Sequence, residues 1–536
     1  MKFINKPILF SAVVAAILSS CGGSTEILST PITNIDNTPI KEQELTEAEK
    51  HNWGHLDLVK DTIPGMSVDK AYTEIVKDKK GKKIIVAVID SGIDIDHEDL
   101  DGVLWTNSKE IPGNGIDDDK NGYIDDIHGW NFLGEAYDEQ LEMTRIVATG
   151  DANAHRFAEA KAALEKDRAQ MEPTKQRYEQ IYAALKDADA AFTKYFGKAD
   201  YTNDEVKNLD TKDEDLLKHK AVAAQMNGFG LESVQQAKEE LKGALDGIVE
   251  RLNTHLNPDF SGRKTGDNPN DFNDKPGYGN ANVKQIKKSE SHGTHVAGII
   301  LAERNNGIGA NGIANNAELM SVRVVPNGDE YDKDVAKGIR YAVDNGANII
   351  NGSFGKSFSQ QSEWVRDAIK YASDNNVIFV HAAGNDSKDV DLGLNFPDDN
   401  TGGAEISNTY IRVGALGPKY GTDMVARFSN YGQKNVDVFA PGAQIYSTFP
   451  ENEYKSISGT SMASPGVAGV AALVWSQYPK LTAAQVKQVI LNSGVPIHSK
   501  VVVGGNGEDV RPFAELCKSG KIVNAYNALI MASMIQ

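Results

Sequence analysis

Short runs of apolar, largely β-branched residues alternate with amphipathic segments along most of this 536-residue chain. Runs that are apolar at nearly every position are typical of strands buried on both faces of a parallel sheet. The first is KKIIVAVID, and the full set is Lys82–Asp90, Leu319–Val325, Ala347–Asn351, Val377–His381, Ile411–Val413 and Val436–Phe439. Between them, Asp334–Asn345 and Glu363–Asn375 carry apolar residues at helical spacing. The alternation predicts an α/β domain built on a mainly parallel sheet.

The stretch from 135 to 282 has a different composition, dominated by Ala, Lys, Glu, Asp and Gln. Two apolar stripes at helical spacing occur in it, formed by Tyr178, Ile181, Tyr182 and Leu185 and by Leu241, Leu245, Ile248, Leu252 and Leu256. They predict a hairpin of long helices, one of which begins at Pro173. We therefore expect a discontinuous α/β domain over 51–134 and 283–536, interrupted by an all-helical insertion over 135–282.

The first residues are typical of a targeting segment. Lys2 and Lys6 give a positive start, and the apolar run Pro7–Leu18 is too short to span a bilayer. LSSC, which ends at Cys21, resembles the lipobox of bacterial lipoproteins, in which the cysteine becomes the lipidated first residue. We expect a signal peptide over 1–20, a polar tether over 21–50 and a lipid anchor at Cys21 in the outer membrane. The alternative is an ordinary signal peptide followed by an incidental cysteine.

The net charge bears on which ligands the protein binds, and the cysteine content bears on how its fold is stabilised. A net charge of −19, from 56 basic and 75 acidic residues, argues against nucleic-acid binding. Cys517 is the only cysteine besides Cys21, so a lipidated Cys21 leaves no disulfide within the chain. An exported protein without disulfides must be stabilised in another way, and bound calcium is one candidate.

Three polar motifs stand where catalytic side chains are commonly positioned. Asp90 ends the first apolar run, at the carboxyl end of a predicted strand. SHGTHVAG places His292 and His295 three residues apart; the zinc motif HExxH needs four and an intervening glutamate, so zinc is disfavoured and His295 is expected to be a buried supporting residue. GTSMASP places Ser461 at the start of a helical run, where free N–H groups stabilise negative charge. Taken alone, a strand-end aspartate is more often a cap or turn residue, and a lone GTS is more often a helix cap.

The three motifs together point to one reaction. A serine nucleophile requires a base within hydrogen-bond reach, and the base requires an orienting carboxylate. The order Asp90, His292, Ser461 is the Asp…His…Ser order of the subtilisin arrangement. VAVIDSGID, SHGTHVAG and GTSMASP resemble the motifs of the subtilisin-like serine peptidases (subtilases), and the resemblance covers about 50–135 and 283–535. It implies a subtilisin-like three-layer α/β domain and endopeptidase activity through an acyl-enzyme.

The resemblance also assigns roles to individual residues. Ser461 would attack the scissile carbonyl, His292 would carry its proton to the leaving amine, and Asp90 would hold the imidazole. HAAGN, which ends at Asn385, is similar to the family's oxyanion-hole segment. The Asn385 side chain and the Ser461 backbone N–H would therefore bind the oxyanion.

Peptide or protein substrates are expected to bind as an added strand. By the resemblance, one edge and the primary pocket are formed by Ser353, Phe354, Gly355, Ala383 and Gly384. Gly328–Glu330 is the candidate for the opposite edge. Its acidic residues Asp329 and Glu330 would favour basic substrate residues, or else form a plain solvated turn.

A run of carboxylates follows the first strand. DDDKNGYIDD reads D-x-D-x-N-G, the first half of a calcium loop. Ligands at alternating positions would be Asp117, Asp119, Asn121 and Tyr123, and either Asp126 or Asp125 would close the site. The alternative is a solvated acidic turn, but so many adjacent carboxylates favour a bound cation. We predict structural calcium at this loop.

Two other functions are compatible with the same sequence features. One is a catalytically silent peptide-binding or envelope-assembly factor, and the other is an esterase or amidase with the same triad.

The helical insertion lies between Asp90 and His292 and is expected to shield the cleft or bind a partner. Residues 22–50 are too few for a propeptide domain, so zymogen control is not expected.

Overall fold

The computed structural model describes residues 30–33, 35, 38–227, 233–400 and 402–535. The predicted signal peptide over 1–20 and Cys21 lie outside these described residues. The helices are α1 Glu47–Asn52, α2 Leu58–Asp61, α3 Val68–Ala71, α4 Glu142–Ala148, α5 Phe157–Phe196, α6 Asn203–Lys207, α7 Glu214–Asn227, α8 Val234–Asn253, α9 His292–Leu301, α10 Asp332–Asp344, α11 Ser362–Asp374, α12 Thr460–Gln477, α13 Ala483–Ser493 and α14 Ala525–Ile535. Among the described helices, none has the length and apolar character needed to cross a membrane.

The strands are β1 Ile84–Asp90, β2 Gly129–Asn131, β3 Ala317–Arg323, β4 Ile349–Gly352, β5 Ile378–Ala382, β6 Tyr410–Leu416, β7 Val438–Pro441, β8 Ile445–Phe449, β9 Glu453–Ile457, β10 Val495–Pro496, β11 Lys500–Val502, β12 Val510–Pro512 and β13 Lys521–Ile522. Within the described residues, nine of them form one sheet in the order β10-β13-β7-β6-β5-β4-β1-β3-β2. All neighbours in it are parallel except β10 and β13. The predicted α/β class with a mainly parallel sheet is confirmed.

The order of the strands reverses at β1. The chain passes from β1 to β3 on one side and then returns to β4 on the other, so that Ile89 is paired with Val322 and with Gly352. A crevice forms at the carboxyl ends of the strands where such a reversal occurs, and ligands bind there. Asp90 is the last residue of β1 and therefore lies at this crevice.

Helices cover both faces of the sheet. In β1, Val86 and Val88 point into the core that contains α9 and α12, whereas Ala87 and Ile89 point into the core that contains α10 and α11. Successive residues of a strand point to opposite faces, so a strand that is buried on both faces must be apolar throughout. The expected three-layer arrangement is the one observed.

The helices α4 to α8 form the insertion. Two small apolar cores hold it together: Met143, Ile146, Ala160, Leu164, Leu252 and Leu256 near the body, and a second that includes Leu185, Ala188, Phe192 and Val234 farther out. The predicted start of a helix at Pro173 is wrong, because α5 continues through that residue from Phe157 to Phe196. An interior proline costs about 3 kcal/mol, but α5 is buried in one core before Pro173 and in the other after it. Packing on both sides therefore keeps the helix continuous.

A buried arginine joins both ends of the insertion to β1. Arg323, the last residue of β3, is fully buried and donates five hydrogen bonds, one from each of its N–H groups. One reaches the carbonyl of Ser91, next to Asp90, and another reaches the Glu290 carboxylate at 2.6 Å. The remaining three go to acceptors of Asn131, Gly134 and Ala136. We call this set of contacts the Arg323 clamp.

The described part of the predicted tether lies against the folded body. The Asn527 side chain accepts a hydrogen bond from the Ile32 N–H at 2.8 Å and donates one to the Ile32 carbonyl at 2.7 Å. Ile35 is buried in the main core. These contacts fix the course of the chain at residues 32 and 35, well ahead of α1.

Candidate active site

A carboxylate and an imidazole are paired at the end of β1. His292 Nδ1 lies 2.8 Å from Asp90 Oδ1 and 3.0 Å from Asp90 Oδ2. Asp90 is almost fully buried, whereas 39% of the His292 side chain is exposed. Because a carboxylate only accepts hydrogen bonds, Nδ1 carries the proton, and Nε2 is left free to act as a base.

Close packing of glycines allows this pairing. A Cβ atom added to Gly293 would lie 2.3 Å from the Gly92 carbonyl oxygen and 3.3 Å from Asp90 Cβ. Gly92 itself has a φ of +109°, which side-chain-bearing residues rarely adopt. The start of α9 can therefore approach the turn after β1 closely enough to bring His292 onto Asp90.

The two histidines of SHGTHVAG have different surroundings. Burial lowers the pKa of His292, but the charge of Asp90 and its hydrogen bond outweigh that effect, so the net pKa is raised. Burial lowers the pKa of His295 to about 4. His295 is fully buried, and its Nε2 donates to the Lys455 carbonyl at 2.9 Å. It is a neutral supporting residue, as its position one turn into the helix predicts.

Ser461 is the second residue of α12 and contacts Ser353 in the predicted substrate edge. Its hydroxyl donates to the Ser353 carbonyl at 3.1 Å, and the Ser353 hydroxyl donates to the Ser461 carbonyl at 2.9 Å. The partner of the Ser461 hydroxyl is thus the Ser353 carbonyl and not the His292 ring. Hydrogen bonds of catalytic groups are often incomplete before substrate binds.

Two further polar residues, Asn351 and the Ser464 of GTSMASP, hold Ser353 in place. Asn351 Nδ2 donates to the Ser353 hydroxyl at 3.0 Å, and Ser464 donates to Asn351 Oδ1 at 2.8 Å. All of these side chains are buried. The chain from Ser464 through Asn351 to Ser353 therefore connects α12 with the end of β4.

The Asn385 amide is oriented by the residue before the serine. Asn385 Oδ1 accepts hydrogen bonds from the Thr460 N–H at 2.9 Å and from the Thr460 hydroxyl at 3.0 Å. The amide NH₂ is consequently turned the other way. A Cβ atom added to Gly459 would lie 3.6 Å from both Asn385 Nδ2 and the Ser461 nitrogen. Two N–H donors therefore border one small space, as an oxyanion site requires.

Two cavities flank the Phe354–Gly355 segment. One, of about 750 Å³, is lined by Ser461, Asn385 and Gly384, and the other, of about 290 Å³, is lined by Asp90 and His292 together with Ser353. Both cavities include Phe354 and Gly355 in their walls. The predicted catalytic residues thus lie on either side of the predicted substrate edge.

Ala383 takes a different position from the one expected. Its methyl group is buried in the main core, and the residues of this segment that line the large cavity are Ala382, Gly384 and Asn385. The Ala383 carbonyl accepts a hydrogen bond from Asn430 Nδ2 at 2.9 Å. Ala383 therefore shapes the pocket through its backbone rather than through its side chain.

The acidic residues of the predicted opposite edge contact α4 of the insertion. The Asp329 carboxylate accepts the Glu142 N–H at 2.7 Å, which caps the first turn of α4. The Glu330 side chain is buried, and its carbonyl accepts from Lys356 Nζ at 2.7 Å. The Asp329 carboxylate is therefore engaged by the insertion, whereas the preference of these two acids for basic substrate residues stays a prediction.

A buried histidine supports the substrate edge from below. His381 Nε2 donates to the Phe354 carbonyl at 2.7 Å, and its Nδ1 lies 2.9 Å from the Tyr410 hydroxyl. Burial, together with the nearby charge of Arg412, lowers the pKa of His381 to about 3. The ring is therefore neutral, and the carbonyl partner requires the proton to be on Nε2. HAAGN marks this residue only as a neighbour of Asn385.

The acidic loop brings two predicted ligands together with a residue outside the motif. Carboxylate oxygens of Glu110, Asp117 and Asp119 all lie within 4.8 Å of one another. Glu110 also accepts backbone N–H groups from both sides of the loop, those of Asp119 and Asp125, each at 3.0 Å. It precedes D-x-D-x-N-G by seven residues, so the motif gives no sign of it.

The other predicted ligands lie deeper. Asn121 donates to Asp126 at 3.0 Å, and the buried Asp126 also accepts from the Tyr341 hydroxyl at 2.6 Å. Tyr123 packs its ring against Trp130 and Tyr341, with ring centroids 5.0 and 4.9 Å apart. Only its backbone carbonyl is therefore available to a cation. Hard oxygen donors of this kind fit calcium.

Known proteins of one family are similar in sequence to this chain. The model of the subtilase family matches residues 81–511. A thermostable alkaline protease of Halalkalibacterium halodurans is 38% identical over 217 residues, which are 40% of this chain and 55% of that protein. A thermophilic serine proteinase of Bacillus sp. (strain AK1) is 42% identical over 188 residues, 35% of this chain and 43% of that protein. Thermitase of Thermoactinomyces vulgaris is 38% identical over 239 residues, 44% of this chain and 77% of that protein. The chain thus spans about half the length of the first two relatives.

Proposed function

The chain belongs to the subtilase family, and from that premise we propose that it is a serine endopeptidase with Asp90, His292 and Ser461 as its triad. The observation that carries the proposal is the pairing of a partly exposed imidazole with a buried carboxylate. Ser461, at a helix start, contacts Ser353, which lines the same cavity as that pair. A carboxylate behind the ring fixes its tautomer and stabilises the imidazolium that forms during the reaction.

The proposed reaction proceeds in two stages. His292 Nε2 takes the proton of Ser461 as Oγ attacks the scissile carbonyl, and the negative oxygen is bound by Asn385 Nδ2 and the Ser461 N–H. His292 then gives that proton to the leaving amine, and an acyl-enzyme remains on Ser461. Water, deprotonated by His292, attacks the ester, and His292 returns that proton to Ser461 Oγ as the C–O bond breaks and the acid is released. The Ser461 hydroxyl must first leave the Ser353 carbonyl, which rotation about its Cα–Cβ bond permits.

Substrate is proposed to bind as a strand between two chain segments. Within the described residues, the backbone groups of Gly355 on one side and of Gly328 on the other make no hydrogen bonds. Asn327, the neighbour of Gly328, is already paired with the chain at Tyr137 and Glu139, at 2.8 and 2.9 Å. Backbone polar groups left open in this way are what an added strand uses.

A fluorophosphonate probe and casein together test the proposal. Covalent labelling of Ser461 separates an enzyme from a silent peptide-binding factor, and cleavage of casein separates a peptidase from an esterase or amidase. The peptide-binding groove favours the peptidase. An unlabelled serine in the folded protein would remove the enzyme proposal altogether.

The raised pKa of His292 predicts the acidic limit of activity. His292 accepts a proton only in its neutral form, so kcat/KM should fall as the pH drops through a pKa above the usual value of about 6.5. Asp90→Asn removes the charge that raises this pKa, so the acidic limb should move to lower pH while activity falls about 10⁴-fold. Asp96→Asn, at an exposed carboxylate nearby, should leave the limb in place. An unmoved limb in Asp90→Asn would contradict the assignment.

Structural calcium is proposed at the loop formed by Glu110, Asp117 and Asp119. Three carboxylates this close repel one another, and a divalent cation would relieve the repulsion. Asn121 and the Tyr123 carbonyl are the further oxygen donors that the motif offers. The ion would have a structural role and takes no part in the proposed reaction.

Removing calcium should lower thermal stability. Calcium at about 100 times its Kd would stabilise the folded state by about 3 kcal/mol, so a chelator should lower Tm by about 3 °C in a chain of this length. Glu110→Gln should abolish this response, whereas Glu239→Gln, on the exposed surface of α8, should retain it. Melting curves with calcium, with a chelator, and with calcium restored measure the effect. Equal melting with and without the chelator would argue for a plain acidic turn.

Anchoring in the bacterial envelope is proposed on the sequence LSSC alone. Cys21 would carry the lipid, and sorting to the outer membrane would follow from the residues after it. Partition of the protein into detergent, lost in Cys21→Ser, is the expected behaviour of a lipoprotein. Release of the unchanged protein into the aqueous phase would favour the ordinary signal peptide.

The insertion is proposed to shield the cleft. Supporting this, Lys356, which follows the substrate edge, is buried against Glu142 of α4 at 3.2 Å. Shielding predicts hydrolysis of an unfolded protein but not of the same protein when folded. Equal rates on the two forms would leave partner binding as the role of the insertion.

A further inference from the structure

The cavity that contains Ser461 and Asn385 ends at a wall made by the insertion. That wall, called here the insertion wall, consists of Leu141, Met143, Ala163, Lys166, Asp167 and Arg251. Arg156, at the start of α5, donates to the Ser357 carbonyl at 2.8 Å, and its guanidinium lies 4.2 Å from the centre of the Phe358 ring. The insertion is therefore attached to the body close to the substrate edge, and its wall forms a fixed part of the cleft.

The insertion wall carries unbalanced positive charge. Lys166 is exposed and makes no ion pair among the described residues. Arg251 approaches Asp167 only to 3.5 Å, and its Nε–H is buried without a hydrogen-bond partner. Two cations against one carboxylate leave one net positive charge. The Arg251 side chain is 35% exposed, so its outer N–H groups can reach a ligand carboxylate in the cavity.

Of the other charged residues that line this cavity, Asp386 and Lys388 carry opposite charges, and Lys356 and Asp329 make contacts within the protein. Lys356 contacts the carboxylates of Glu142 and Asp332, at 3.2 and 3.0 Å. Asp329 caps α4, and its carbonyl accepts from Arg145 at 2.8 Å. The positive charge at the far end of the cavity is therefore not cancelled by these neighbours.

We propose that the insertion wall is a subsite for an acidic substrate side chain on the acyl side of the scissile bond. The inference rests on the proposed peptidase function. A bound strand advances about 3.3 Å per residue, so Ser353–Gly355 accommodates the first two or three acyl-side residues. A residue beyond them reaches the insertion wall, where Leu141 and Met143 contact its methylene groups and Lys166 and Arg251 bind its carboxylate.

A peptide series tests the subsite on the full-length protein. Glu, Gln or Lys occupies each acyl-side position in turn, and kcat/KM is measured for each peptide. At one position beyond the second, Glu should exceed Gln about fivefold, and the preference should shrink at high ionic strength. Lys166→Glu should reverse the order of Glu and Lys at that position. Lys186→Glu, on the exposed surface of the same helix, should leave the order unchanged.

The possible failures are distinguishable. Equal rates for Glu, Gln and Lys at every acyl-side position would overturn the subsite, as would a preference that Lys166→Glu does not alter. Absence of hydrolysis of all peptides and of a short ester would instead contradict the peptidase function on which the subsite rests.

Discussion

Replacing Ser461 by alanine should remove peptide hydrolysis while the protein stays folded. The expected loss in kcat is about 10⁶-fold, as in subtilisin, a member of the same family. The hydroxyl makes one hydrogen bond, to the Ser353 carbonyl, so its removal should cost only about 1 kcal/mol of stability. Turnover of a peptide substrate, fluorophosphonate labelling and thermal melting measure the three quantities.

Ser458→Ala is the matched control for this variant. Ser458 lies three residues before Ser461, is exposed, and accepts the Gln444 N–H at 2.9 Å. It should keep both turnover and labelling. Turnover or labelling that persists in Ser461→Ala would mean that another residue is the nucleophile.

The second large effect is expected at Asn385. Asn385→Ala should lower kcat about 10²-fold to 10³-fold, the size of effect measured for an oxyanion-hole asparagine in subtilisin. KM should change little, because the amide N–H binds an oxygen that becomes negative only in the transition state. A rise in KM with unchanged kcat would show that Asn385 binds the substrate in its ground state instead.

A second variant tests the NH₂ group of Asn385 while keeping the side-chain oxygen. Asn385→Asp retains an oxygen for the Thr460 N–H and hydroxyl, which hold the side chain at 2.9 and 3.0 Å. It loses the NH₂ group and adds a negative charge beside the oxyanion. The loss in kcat should therefore be at least as large as in the alanine variant, with the melting temperature preserved. Asn408→Asp, at an exposed amide, is the control and should retain full activity.

The sheet could be predicted from sequence because its strands leave a local signal. A strand buried on both faces must be apolar at each position, and the run that ends at Asp90 coincides with β1 to its last residue. The serine and histidine motifs sit at helix starts for an equally local reason. What makes the site recognisable in the sequence is therefore short-range: glycines that permit close packing and polar residues at element ends.

The residues that could not be predicted act across long separations. Glu142 and Lys356 pair over 214 positions, and no local pattern in either segment indicates the other. Glu110 joins the acidic loop from outside its motif, and Asp329, which the sequence suggested only as part of a substrate edge or a solvated turn, caps a helix of the insertion. The continuity of α5 through Pro173 likewise depends on two cores formed by distant residues.

The Arg323 clamp affects which changes in sequence length the protein can tolerate during evolution. One guanidinium holds the chain where the insertion begins, near Ala136, and where it ends, at Glu290. With both ends fixed, the length of chain between them affects stability only weakly, by about 0.6 kcal/mol for each doubling of a flexible loop. Segments of very different length could therefore be exchanged at this point without disturbing Asp90 and His292. The clamp makes the region beside the cleft a place where new specificity can evolve on an unchanged catalytic body.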